Sequence, residues 1–152
     1  MTQRVAKEIP LSSLTIRKYE KPHTEDKRML IKRFCLSIGL LEPGDSRDII
    51  IDILTVFIEK AKQRQALTIN ELIEETKTIR RKLSLSEKGC SEPNIRRQVL
   101  RLKNAGLVEK QKNKYRIKEF LSTEELTQDV VKKKADEILE RVLLYAKAID
   151  NI

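Results

Sequence analysis

The residues of this chain best suited to chemistry are cations, and they are unevenly spread. Between residues 77 and 118 there are fourteen lysines and arginines against three acids, Glu87, Glu92 and Glu109. That local charge of +11 exceeds the +9 of all 152 residues, so the rest of the chain sums to a slight negative. Ammonium and guanidinium groups gathered in this way attract polyanions. Within the stretch, Asn94, Arg97, Gln98 and Arg101 are of the types that read base edges, because a guanidinium forks onto guanine and a primary amide pairs with adenine. Arg96 and Lys103 suit phosphate, as do Arg80, Arg81 and Lys82 before them and Lys110, Lys112, Lys114 and Arg116 after them.

Residue sets that catalysis requires are missing from the sequence. No G-x-x-x-x-G-K and no G-x-G-x-x-G occurs, and the acidic pair Glu74 and Glu75 lies among counter-charges, the setting of a solvated helix face. The single histidine, His23, and the cysteines Cys35 and Cys90 lack zinc-site spacing, and no disulfide framework is indicated. Cys35 falls on an apolar helical stripe and reads as a small buried hydrophobe. Cys90 falls in a Ser- and Gly-containing connector, where an exposed thiol would be reactive. The expectation is a protein that is not an enzyme and uses no cofactor, metal or small-molecule substrate.

Local structure must position the cations. Residues 1–23, with Pro10, Pro22 and the basic cluster RKYEK at 17–21, read as a loosely attached arm; a functional arm of this kind reaches phosphates or a minor groove. Thr24 is the expected cap of a first helix, with Glu25 and Asp26 in its first turn, Leu30, Ile31, Phe34, Cys35 and Ile38 on one stripe, and Gly39 as its stop. EPGDS at 42–46 is a turn in which Asp45 or Ser46 caps a second helix. From Ile49 to Ile58 that helix is apolar except for Asp52 and Thr55, the pattern of a central pillar.

Thr68 and Glu71 form the capping box of a third helix, whose inner face is Leu72, Ile73, Ile79 and Leu83. After the connector at 84–91, Ser91 caps a fourth helix with Pro93 in its first turn; Ile95, Val99 and Leu102 turn inward and Gly106 closes it. The candidate readers occupy its remaining surface. Residues 107–118 read as two short strands around a turn at Gln111 to Asn113, with Tyr115 packing beneath. A second capping box, Ser122 with Glu125, opens a long final helix on which Val131, Ala135, Ile138, Val142, Tyr145, Ile149 and Ile152 step alternately by four and three, a seam widened by Leu139, Leu143 and Ala146.

The order of helix, helix, basic helix and hairpin over residues 46–118 resembles the winged helix-turn-helix, a mainly α fold with a small β-hairpin. The stretch IRRQVLRLKNAGLVEKQKNKYRI is similar to the recognition helix and wing of bacterial and archaeal transcription regulators, and the flanking helices most resemble the dimeric MarR or PadR type. The resemblance implies that helix 91–105 lies in the major groove of double-stranded DNA while hairpin 107–118 grips the backbone or minor groove. It also implies three parts: an arm at 1–23, a DNA-binding domain at 24–120, and a dimerisation helix at 121–152. The homodimer interface is then the seam of Val131, Ala135, Ile138, Leu139, Val142, Tyr145 and Ile149, with contributions from Phe34, Ile38 and Leu40.

Two other readings compete: an RNA-binding winged helix, and a protein adaptor with a coiled-coil helix. Three tyrosines, three phenylalanines and no tryptophan offer little for base stacking, and an adaptor face needs an apolar centre more than a stripe of arginine. No run approaches the roughly 18 to 20 apolar residues that cross a bilayer, and residues 1–10 lack the apolar core of a secretory signal. Cytoplasmic residence without membrane partners is the expectation.

Overall fold

The computed structural model describes residues 8, 10–18, 21, 22, 26–45 and 48–152. They form a mainly helical fold with one small antiparallel hairpin. In chain order the elements are α1 (Lys27–Ser37), α2 (Ile49–Lys62), α3 (Ile69–Lys82), α4 (Glu92–Asn104), β1 (Val108–Gln111) and β2 (Lys114–Ile117). A 3₁₀ turn (Lys118–Phe120) then leads to α5 (Thr123–Leu126), a π-turn (Thr127–Val131) and α6 (Lys132–Asp150).

The isoleucine-rich α2 is the pillar its composition demands. Ile50, Ile51, Ile53, Leu54, Val56 and Phe57 are all buried, and α2 packs on α1, α3, α4 and β2. Leu72 of α3, Ile95, Val99 and Leu102 of α4, and Val108 and Ile117 of the hairpin close around it. Each such side chain contributes about 1.5 to 3 kcal/mol on burial. Ile38 and Leu40 belong to this core too, so they are not available to an interface between copies; Phe34 is half-buried against it.

Several expected details differ. Thr24, Glu25, His23, Tyr19, Glu20 and Ser46 lie outside the described residues. Asp26 is the cap of α1, its carboxylate accepting from the backbone N–H groups of Arg28 and Met29. Part of the arm is laid along the end of α1: Thr15 N–H donates to the Ser37 carbonyl at 3.0 Å, and Leu14 packs against the core. The Thr68 hydroxyl accepts from Glu71 N–H, one half of the box expected there, whereas Ser122 and Glu125 form the reciprocal pair in full. Ser91 stands at the start of α4 without its hydroxyl capping the helix.

A buried ionic cluster ties the helices together. Asp52 is 1% exposed in the middle of α2, and its Oδ2 lies 2.6 Å from Nη1 of Arg80 on α3. Nε of Arg28, from α1, meets Asp52 Oδ1 at 3.1 Å. Asp48, at the α2 N-terminus, bridges the same two guanidiniums at 2.9 and 3.2 Å. This explains why Asp48 does not cap α2: its carboxylate is engaged sideways. Burial acts to raise the Asp48 carboxyl, but the hydrogen bonds and charges of Arg28 and Arg80 outweigh it and leave the group below the ordinary carboxylate range. Nε of Arg80 also donates to the Ser86 carbonyl, anchoring the connector that leads into α4.

Gly106 ends the α4 region at φ 82°, and a Cβ there would sit 2.8 Å from Val130 Cγ1 in the π-turn. The hairpin pairs Val108 with Ile117 and Gln111 with Lys114. On its other edge, Leu67 and Tyr115 exchange both backbone hydrogen bonds, at 2.8 and 2.7 Å, so the segment before α3 adds one residue of strand. Lys118 Nζ meets Asp129 Oδ2 at 2.7 Å, joining the hairpin exit to the π-turn. No helix among the described residues is long and apolar enough to cross a membrane.

Removing one partner of the cluster strands a buried charge. Arg80→Met should cost about 3 to 5 kcal/mol in urea unfolding, and Arg80→Met with Asp52→Leu should recover much of that loss. Asp48 contributes stability that is complete above the ordinary carboxylate pKa of about 3.9 and is lost as pH falls through its lower folded value, so Asp48→Asn should flatten the acid limb of stability below about pH 4.

Candidate nucleic-acid interface

The three inward residues of α4 fix its orientation and hence its outer face. With 100° per residue, the line farthest from Ile95, Val99 and Leu102 is Pro93, Arg97, Leu100 and Asn104; all four are exposed. Leu100 is 54% exposed, an apolar side chain among cations. Sequence reasoning passed over Leu100 and Asn104. Both follow from the same inward stripe read from its opposite side.

The expected base readers divide under this geometry. Arg97 is on the outermost line, with Nη1 3.3 Å from Asn94 Oδ1. Asn94 and Gln98 are half-buried on the flank. Asn94 Nδ2 donates to the Gly89 carbonyl at 2.7 Å, which ties the connector to the first turn of α4. Gly89 adopts φ 93°, and a Cβ there would lie 3.2 Å from Asn94 Nδ2. Arg101 is exposed but engaged: Nη2 donates to the Leu40 carbonyl and Nη1 to Gln98 Oε1 at 2.9 Å. It is built as a strut between α4 and the segment after α1. Arg96 pairs with Glu92 one turn back at 2.9 Å, and Lys103 is exposed.

Of the cations ahead of α4, Arg80 is corrected outright. It is 6% exposed and committed to Asp52, Asp48 and Ser86, so it cannot reach phosphate. A signal for this was present in the sequence, since an aspartate inside an apolar helix must find a buried cation. Arg81 is exposed and pairs with Glu87 at 2.8 Å, while Lys82 is exposed. At the start of α4 a cavity of about 560 Å³ is bordered by Lys88, Gly89, Ser91, Asn94 and Arg97. Lys88 entered the charge count but was not singled out as a contact.

The hairpin also divides. Lys112 and Lys114 are exposed at its tip, and Lys110 lies over the Tyr115 ring at 5.7 Å. Tyr115 is half-buried against the core, as its packing role requires. Arg116 does not reach outward. Its Nε is 2.7 Å from Glu109 Oε1, and its guanidinium stacks over Phe120 at 4.6 Å, bracing the hairpin against the 3₁₀ turn. Burial would raise the Glu109 carboxyl, but the Glu119 N–H and Arg116 hold it below its usual range.

When ion pairs are set aside, nine cations of the basic stretch have no carboxylate in salt-bridge range among the described residues: Lys77, which is half-buried, Arg101, which is braced on the Leu40 carbonyl, and the exposed Lys82, Lys88, Arg97, Lys103, Lys110, Lys112 and Lys114, seven in all. These seven stand on the end of α3, the connector, α4 and the hairpin. Neither thiol competes as a reactive group. Cys35 is fully buried and pushed up to about 12 by that burial, and Cys90, in the connector, is buried and also raised. On the seam, Val131 packs against the chain's own core and Ile138 is half-buried, whereas Ala135, Leu139, Val142, Tyr145 and Ile149 are exposed. No known protein family, characterised protein or solved structure matches this chain.

Lys112 sits at the hairpin tip with φ 57°, a conformation that favours glycine. Lys112→Gly should raise thermal stability by about 0.5 to 1 kcal/mol by relieving that strain, measured by calorimetry. The same variant should weaken polyanion binding, because it removes one of the seven cations.

Proposed function

We propose that this chain is a cytoplasmic winged helix-turn-helix protein that binds double-stranded DNA as a homodimer and regulates transcription. In this reading α4 enters the major groove, and the β1–β2 hairpin lies on the flanking backbone or minor groove. The observation that carries it is the set of nine cations without acidic partners on α3, the connector, α4 and the hairpin, seven of them exposed and not braced against another element. The order α2, α3, α4 and hairpin, with Leu67 on the free edge of β2, supports the same reading.

Roles are assigned by exposure. Arg97, Leu100 and Asn104 face the bases, and Lys82, Lys88, Lys103, Lys110, Lys112 and Lys114 contact phosphates. Arg96 and Arg81 can trade their exposed glutamate partners for phosphate at little cost, since surface ion pairs contribute about 0 to 1 kcal/mol. Arg101, Asn94 and Arg116 hold the geometry. The exposed seam of α6 supplies the dimer contact.

Fluorescence anisotropy against duplex DNA and single-stranded RNA over a salt series tests the reading. Five to seven phosphate contacts per protomer predict a log–log salt slope of about −4.5 to −6 for each protomer, and about twice that for the dimer on duplex. A flat response, or tighter binding to RNA, overturns it. On a duplex selected from a random pool, Arg97→Ala should lose about 1 to 3 kcal/mol and relax one base preference, while Lys112→Ala should weaken all duplexes alike.

A further inference from the structure

The cationic surface does not stop at the hairpin. Lys103, Asn104 and Lys110 border a depression of about 610 Å³ that Lys133 and Lys134, in the first turn of α6, also line. The close approach of Val130 to Gly106 and the Lys118–Asp129 pair hold the start of α6 beside the end of α4. Five lysines and two glutamates line the depression. Of the acids, Glu109 is committed to Arg116 and to the Glu119 N–H. Asp129 holds Lys118 with one oxygen, and its other lies 3.8 Å from Nζ of the exposed Lys133. Lys134 is half-buried and has no carboxylate in salt-bridge range among the described residues. Burial pushes its ammonium below the ordinary lysine range, against the opposing charge of Glu137. An ammonium that folding has partly stripped of water, with no carboxylate bonded in its place, gains from an anion more than a fully hydrated one does.

We infer that Lys133 and Lys134 form a further phosphate-binding site for duplex DNA, which carries the contact from α4 and the hairpin onto the base of α6. The inference rests on the DNA-binding reading proposed above and extends the surface that reading uses. Phosphates recur about every 3.4 Å of helix axis along each strand. A backbone that meets Lys103 and Lys110 therefore continues over the depression these residues share with Lys133 and Lys134. The first turn of α6 then holds nucleic acid, while the exposed apolar residues further along the same helix are left free for other contacts.

Anisotropy of the full chain on a random-sequence duplex over a salt series tests the site. Lys133→Gln with Lys134→Gln should lower the log–log slope by about 1.8 per protomer, two contacts at about 0.9 each, and weaken binding at 0.1 M salt by about tenfold or more. Each single variant should lose about 0.9 of slope, so the result does not depend on the double variant folding. Lys134→Arg keeps the charge and should bind as the parent does. Lys132→Gln removes a cation from the same turn that does not line the depression, and it should leave slope and affinity nearly unchanged. A parent with a steep slope whose Lys133 and Lys134 variants keep that slope overturns the inference and leaves the DNA-binding reading standing. An equal loss from Lys132→Gln overturns it too, because total charge alone would then account for the effect. A flat response from the parent removes the DNA-binding reading itself, and the site with it.

Discussion

A carboxylate set in the middle of an isoleucine-rich helix must find hydrogen-bonding cations, because nothing else in an apolar core can replace its water. Asp52 obtains them from both sides, Arg28 on α1 and Arg80 on α3, while Asp48 completes a four-membered arrangement with two charges of each sign. Because Arg80 also holds the Ser86 carbonyl, the cluster reaches past the helices into the connector. Asn94 takes over from there, grasping Gly89. The position of α4 is thus fixed at its base by Ile95, Val99 and Leu102 and at its entrance by a chain of polar contacts that begins in the core.

The electrostatics follow the same division. Three cations of the basic stretch that meet acids are structural, namely Arg80 inside the core, Arg116 against Glu109 and Phe120, and Lys118 against Asp129, whereas Arg81 and Arg96 pair with glutamates on the surface. Most cations left without acids are exposed, on the end of α3, the connector, α4 and the hairpin tip. A polyanion approaching this surface meets charges that need not be released from buried partners first, and that is the condition under which counterion release can drive association.

Much of this was legible in the chain. The α2 pillar, the inward stripe of α4, the glycine stop at 106 and the Ser122–Glu125 box all follow from period and capping chemistry, which act over a few residues. The fate of individual cations was not, because a salt bridge between α2 and α3 joins residues 28 apart in sequence and leaves no local trace beyond an aspartate out of place. The tie of Arg101 is hidden for the same reason, since its acceptor is the carbonyl of Leu40, 61 residues away. Cys90 illustrates a third limit: connector composition says where the backbone turns, not whether the turn is roofed over.

The π-turn at Thr127–Val131 has a consequence for everything after it. Such a turn holds one more residue than an α turn, so α6 leaves the body rotated by about 100° from the azimuth that α5 alone would have given it. Leu126 and Val130 still point into the core, and the heptad stripe begins immediately beyond them on a fresh bearing. The compass direction of the exposed stripe is therefore set by the spacing of a few backbone hydrogen bonds, upstream of every side chain that lies on it.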